Sequence, residues 1–208
     1  MTNTNTNTNT PFIFQIGLHR CGTTSLARFF ELNGIPSVHN DGGGLAMSMY
    51  FNMMRGSPII NDHYGQNKFF SDMEYIDSSG RFAPIFMYEY FKELDRHYPD
   101  SLFILNVRNK DNWINSKIKH MNGGHLRLLQ KIYGLDRDSV ILKWSEDWDN
   151  HINDVLNYFI SRPDKLIVFD IENDSPEKLC HFFSPWYNLD PQYYGHYNKG
   201  KGGDAHQK

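Results

Sequence analysis

The stretch "GLHRCGTTSL", residues 17–26, follows the apolar run "PFIFQI" and leads into "ARFFELNG". These residue types in this order suit a turn that cradles phosphate between a strand and a helix. Gly17 and Gly22 supply tight turns, and the N–H groups at a helix start form a concave site for phosphate oxygens. Thr23 and Thr24 add hydroxyl donors. The lysine that a nucleoside triphosphatase carries just after the second glycine is absent, and the nearest cation is Arg20, inside the loop. By itself such a loop also suits a tight strand–helix turn that binds nothing.

A second constellation narrows the choice. In "FILNVRNKDNWINSKIKH", Arg108 closes an apolar run and Ser116 follows eight residues later, one helical turn beyond Asn112 on the same face. Arginine is the natural bidentate partner of phosphate. Alone, an arginine at a strand end reads as half of a surface ion pair; beside the first loop it reads as a phosphate ligand. The ten histidines show no metal-ligand spacing such as H-E-x-x-H, so no metal site is expected.

The elements that must position these residues are legible as alternating strands and helices. Strands are expected at "FIFQIGL" (12–18), "PSVHN", "NKFFSDM" (67–73), "SLFILNVR" (101–108) and "KLIVFDI" (165–171). A helix is expected from "TTSLARFFELNG", with Leu26, Phe29 and Phe30 on one face and Gly34 as its stop. Others follow at residues 44–55, at "APIFMYEYFKELDRHYP" and at "KDNWINSKIKHMN". The stripe of Leu45, Met49 and Met53 reads as core before cleft lining. Residues 139–160 form a long amphipathic helix, with Ile141, Trp144, Trp148, Ile152, Val155 and Phe159 on one stripe. A short helix, "SPEKLCHFF", is capped by Asp174 or Ser175 with Pro176 at its first position. This alternation predicts an α/β fold: one domain over residues 11–208 with a central parallel sheet flanked by helices. Ligands of such sheets bind at the carboxyl ends of the strands, where the 17–25 loop, Asp72 and Arg108 all fall.

Composition bounds the function. The 208 residues are 39% hydrophobic and 22% charged, with aromatics at 15%, and suit a soluble domain with a real core. A net charge of −3 argues against a nucleic-acid binder. Two cysteines, Cys21 and Cys180, make no disulfide framework, which fits a reducing, cytoplasmic setting. Residues 1–10, "MTNTNTNTNT", lack the apolar core of a signal or anchor and read as a disordered tail. No membrane span is visible.

Taken together, the motifs resemble those of the sulfotransferases that use 3′-phosphoadenosine 5′-phosphosulfate (PAPS), and the likeness runs from residue 12 to about 204. The family's loop, (Lys/Arg)-(Ser/Thr)-Gly-Thr-(Thr/Ser), reads here Arg20-Cys21-Gly22-Thr23-Thr24. Its arginine closing a strand, with serine eight residues on, is matched by Arg108 and Ser116. "NKGKGGD" (198–204) is similar to its C-terminal Lys-Gly-x-x-Gly-Asp stretch. The resemblance implies a P-loop-like fold of the bacterial or carbohydrate type, a PAPS donor leaving as 3′-phosphoadenosine 5′-phosphate (PAP), and no metal. It implies that Arg20 stabilises charge on the leaving 5′-phosphate, and that Cys21, Gly22, Thr23, Thr24 and Ser25 bind the 5′-phosphate and sulfate oxygens. Arg108 and Ser116 would hold the 3′-phosphate, with Lys199, Gly200 and Lys201 closing over it. Cys21 stands where Ser or Thr is usual; a helix N-terminus among cations would lower its pKa and expose it to oxidation. The general base of relatives lies near the end of the third strand, where Asp72 comes first and Glu74 second; His39, His63 and His120 compete, His39 foremost.

The acceptor is expected to be a small molecule, lipid or carbohydrate whose pocket is shaped by residues 41–66 and 121–138; the sequence leaves the oligomeric state open. Two alternatives stand beside this reading. One is a magnesium-dependent kinase or triphosphatase, for which "LIVFD" would offer Asp170. The other is a nucleotide-binding protein without catalysis on the same scaffold.

Overall fold

Three consecutive buried residues, Ile13–Gln15, form strand β1 at the centre of the molecule. The computed structural model describes residues 10–195 and 197. Residues 1–9 of the Thr/Asn tail, and Lys199, Gly200 and Lys201, lie outside the described residues. Around β1 run β2 (Ser37–His39), β3 (Phe69–Ser71), β6 (Leu102–Val107) and β7 (Leu166–Asp170), in the order β2-β3-β1-β6-β7 and parallel throughout. β4 (Glu74–Tyr75) and β5 (Ile85–Phe86) pair antiparallel as a separate two-stranded sheet.

Side chains alternate across a strand, so each strand feeds two cores. Ile13, Phe69 and Ile104 face helix α1 (Thr23–Leu32) and helix α7 (Glu177–Phe183), with Phe29, Phe30 and Phe183 in the same cluster. Phe14, Phe70 and Phe103 face the opposite way. There they meet α2 (Gly44–Met54), α3 (Phe91–His97), α4 (Lys110–Lys119), α5 (Gly124–Tyr133) and α6 (Arg137–Phe159). Two helical layers over one parallel sheet follow from strands that are apolar on both faces. The expected single α/β domain is the one observed. The face of Leu26, Phe29 and Phe30 is fully buried, and α1 ends at Asn33 and Gly34 as read. Leu45 and Met49 are core, with Met53 packed against it.

Two local expectations are corrected, for residues 83–99 and for the cap of α7. "APIFMYEYFKELDRHYP" is not one helix: Ile85–Phe86 is captured as a strand by Glu74–Tyr75, a 3-10 turn covers Met87–Tyr90, and only Phe91–His97 is α-helical. A cross-strand partner overrides local helix preference there. Within 121–138 the chain forms helix α5, entered at Gly123 and left at Gly134, both at positive φ. Neither Asp174 nor Ser175 caps α7, whose start at Pro176 has no side-chain cap. Asp174 instead accepts from the Asp170 N–H and from Lys178 Nζ, each at 2.7 Å.

Phe103 is fully buried on the central strand β6, its ring 4.9 Å from Phe159 and 5.8 Å from Phe14. Phe103→Ala should cost about 3–5 kcal/mol of unfolding free energy in urea. Phe82→Ala, at a ring left 67% exposed, should change it by less than about 0.5 kcal/mol.

Candidate functional site

Every strand of the main sheet delivers a polar residue to its carboxyl end: the 17–22 loop after β1, His39 at the end of β2, Asp72 after β3, Arg108 after β6 and Glu172 after β7. The loop is held from beneath by two buried amides. Asn106 Nδ2 donates to the Cys21 carbonyl at 2.6 Å, and Gln15 Nε2 donates to the Gly17 carbonyl and to Asn106 Oδ1. Gln15 Oε1 accepts the Asp72 N–H at 3.0 Å, tying the loop to the next strand. A Cβ on Gly17 would collide with the backbone and side chain of Asn106. Gly22 sits at φ 75° against Ile171 and, lacking a side chain, leaves the first N–H groups of α1 without a side-chain cap. Those groups have no intrahelical partner, so the loop presents donors suited to an anion.

Two arginines flank these donors. Arg20, itself at φ 68°, donates from Nε to Ser116 Oγ at 3.2 Å. The structure therefore brings the loop cation and the helix serine together. Arg108 donates from Nη1 to the Arg20 carbonyl at 3.3 Å. Its remaining nitrogens are taken by Glu172: Nε and Nη2 lie 3.0 and 2.6 Å from Oε1. The Asn109 N–H and Asn112 Nδ2 complete the cradle around that carboxylate. Burial raises the pKa of Glu172, but the Asn109 N–H, Arg108 and Asn112 together hold it below the usual range.

On the other side of the loop, His39 Nε2 lies 3.3 Å from Thr24 Oγ1 and 3.8 Å from Asp72 Oδ2, and its Nδ1 lies 3.0 Å from Ser71 Oγ. Three candidates read from the sequence, Thr24, His39 and Asp72, thus form one contiguous chain. Burial, and then the nearby Glu74, push the Asp72 carboxyl up to about 6. Burial keeps His39 below its ordinary value despite Asp72. Glu74 is raised by burial to about 7, with Lys117, His120 and Arg20 opposing the rise. Its Oε2 lies 2.8 Å from His19 Nδ1, but the two are not aligned for a hydrogen bond, and burial holds His19 neutral. This contact is not a salt bridge at neutral pH.

Behind Glu74 lies a buried polar cluster. Lys117 Nζ sits 4.6 Å from the Trp113 ring and 4.3 Å from the Trp144 ring, and burial lowers it to about 8. The His125 ring stacks on Trp144 and lies 5.0 Å from His19; burial, with His19 and Lys117, lowers it to about 2. His120 lies at the edge of this group, while His63 is exposed in the loop after α2, away from it. Cys21 corrects an expectation: it is fully buried, and desolvation raises its thiol pKa above the ordinary range, so it is no reactive thiolate. Ser25 is buried and accepts from the Tyr197 N–H at 3.1 Å. Asp170 accepts from the Glu172 N–H and Asn173 Nδ2, a turn-capping role that accounts for its presence.

A cavity of about 400 Å³ opens between α2 and β5, walled by Tyr50, Phe51, Tyr75, Phe82, Phe86 and Tyr90. Segment 41–66 contributes to it, whereas 121–138 does not. Among the described residues no lysine, arginine or histidine lines it, and Glu89 is the one charged residue that does.

A sulfotransferase domain family model matches residues 12–138, more than half of the chain, and spans the loop, Asp72, Arg108 and Ser116. The chain belongs to the sulfotransferase domain family. A comparison with curated proteins found no match. No helix among the described residues is long and apolar enough to cross a membrane.

Within this sulfotransferase domain, residues that motif reading passed over are structurally central: Gln15, His19, Asn106, Lys117, His125 and Glu172. Gln15 and Asn106 carried a signal, since each is a single amide inside an apolar strand and a buried amide must find partners. The Asp72 and Glu74 shifts set a pH dependence. Their folded-state pKa values are raised, so their contribution to stability is full below about pH 4 and is lost as pH rises through 6 and 7. Glu74→Gln should therefore be more stable than the wild type by about 1–3 kcal/mol at pH 8. The difference should vanish near pH 4.5 in urea unfolding at both pH values.

Proposed function

We propose that the protein transfers the sulfuryl group of PAPS to a hydroxyl or amine of an acceptor. The observation that carries this reading is the hydrogen bond from Arg20 to Ser116, which sets a permanent cation beside the glycine loop and the open end of α1. The loop suits the donor on its own geometry: Gly17 cannot take a side chain, and Gly22 leaves the helix N–H groups uncapped. Arg20 and the loop amides from Cys21 to Ser25, with the hydroxyls of Thr23 and Thr24, would hold the 5′-phosphate and sulfate oxygens. Arg108 and Ser116 would hold the 3′-phosphate, with Lys199, Gly200 and Lys201 as further contacts.

In the transfer, the acceptor atom bonds to sulfur as the bond from sulfur to the 5′-phosphate oxygen breaks. The electron pair stays on that phosphate, where Arg20 stabilises it; Arg20 does not deliver a proton, because its guanidinium is always charged. Asp72 takes the acceptor's proton. Its carboxyl, raised to about 6, is ionised at neutral pH yet more basic than a free aspartate. His39 holds Asp72 and Thr24 in one geometry. Glu74, enclosed against His19, is the less suitable base. Such a reaction asks the protein for position and charge more than covalent chemistry.

The aromatic cavity favours an acceptor with an uncharged, apolar body, since a sulfated polysaccharide would want basic walls. A cytoplasmic location and a metal-independent reaction belong to the same reading.

Calorimetric titration with PAP, with and without magnesium, tests the donor. Micromolar binding that ignores magnesium and is lost in Arg108→Ala is the expected result. Binding of ATP alone, and only with magnesium, would replace this reading with a kinase-like one. With an acceptor in hand, Arg20→Ala should lower kcat by about 10²–10³-fold, and Asp72→Asn should remove the acid limb of the pH–rate profile near 6.

A further inference from the structure

Arg108, which the PAPS reading assigns to the 3′-phosphate, is already engaged by this chain's own carboxylate. Glu172 draws on Arg108 Nε and Nη2, on the Asn109 N–H at 2.9 Å and on Asn112 Nδ2 at 3.2 and 3.4 Å. These are a strand-end arginine and the first turn of a ten-residue helix, the set that a phosphate dianion would want. Carboxylate and phosphate cannot share the same N–H donors, and side by side they repel. Glu172 is not a loose surface chain: its N–H is fixed by Asp170 Oδ1 at 2.9 Å, and its side chain is 26% exposed. The family match ends at residue 138 and does not include this position.

We infer that Glu172 is a specificity-determining stand-in for the donor's 3′-phosphate, holding Arg108 until that phosphate displaces it. This rests on the donor reading above. Two consequences follow from the geometry. Without ligand, Arg108 stays aimed at the site, because Glu172 and the Arg20 carbonyl hold it from two sides. A nucleotide with no 3′-phosphate has nothing to exchange for the carboxylate, so it binds by its 5′-phosphate alone.

The test compares PAP with adenosine 5′-phosphate by calorimetry in the wild type and in Glu172→Gln, with thermal melting to establish that both are folded. Glutamine keeps the size of the side chain and removes its charge. The expected result is that Glu172→Gln binds PAP about tenfold more tightly while adenosine 5′-phosphate binds within twofold of the wild type. Glu172→Ala should shift the PAP to adenosine 5′-phosphate affinity ratio in the same direction, even with some loss of stability. A ratio unchanged in both variants, with PAP still bound, would overturn the role of Glu172 and leave the donor reading intact. Equal weakening of both nucleotides would make Glu172 a structural support for Arg108 and would likewise overturn it. Failure of the wild type and the variants to bind PAP would remove the donor reading and this inference together.

Discussion

The site depends on two amides buried where amides are costly. Gln15 and Asn106 lie in adjacent central strands, 1% and 0% exposed, among phenylalanines and isoleucines. A buried amide without partners costs a few kcal/mol, and here the loop supplies the partners. The Gly17 and Cys21 carbonyls, the other amide and the Asp72 N–H give each nitrogen and oxygen of both side chains a partner. The loop is consequently fixed to the sheet at two points, and the end of β3 is tied to it by the same side chain. Left-handed backbone at Arg20, Gly22 and Asp72 is tolerated because these bonds over-determine it.

Onto that frame the structure places opposed charges at different depths. Arg20 and Arg108 occupy the mouth, one bonded to a neutral serine and the other to a carboxylate. Asp72 and Glu74 sit deeper, each raised by burial, with Glu74 adding to the rise at Asp72. Deeper still, Lys117 is held by the faces of two tryptophans and supplies positive potential to Glu74 without a hydrogen bond to it. Burial, reinforced by Lys117, keeps His19 and His125 neutral, so protonation in this region rests on the carboxylates and Lys117.

Legibility in the sequence followed the range of the physics involved. The strand–loop–helix run from Phe12 to Leu32 is local grammar: a short apolar run, two turn glycines of which Gly22 takes a positive φ, and a helix start just after them. It could be read directly, as could Arg108 and Ser116 from their spacing. The 85–90 segment could not be, because its strand exists only against Glu74–Tyr75. Cys21 was misjudged for a related reason: its neighbours are cationic, but its thiol points into the core, and desolvation outweighs their field.

By itself the sequence determined the α/β class, the order of the elements and the identity of the loop and strand-end cations, because these follow from periodicity and residue type over short spans. Only the tertiary structure decided which of those residues meet. It set Arg20 on Ser116 across 96 residues, Arg108 on Glu172 across 64, and His39 beside Thr24 and Asp72. Such pairings depend on the register of parallel strands joined by long crossovers. Burial, which no short window encodes, then sets the charge that each group carries.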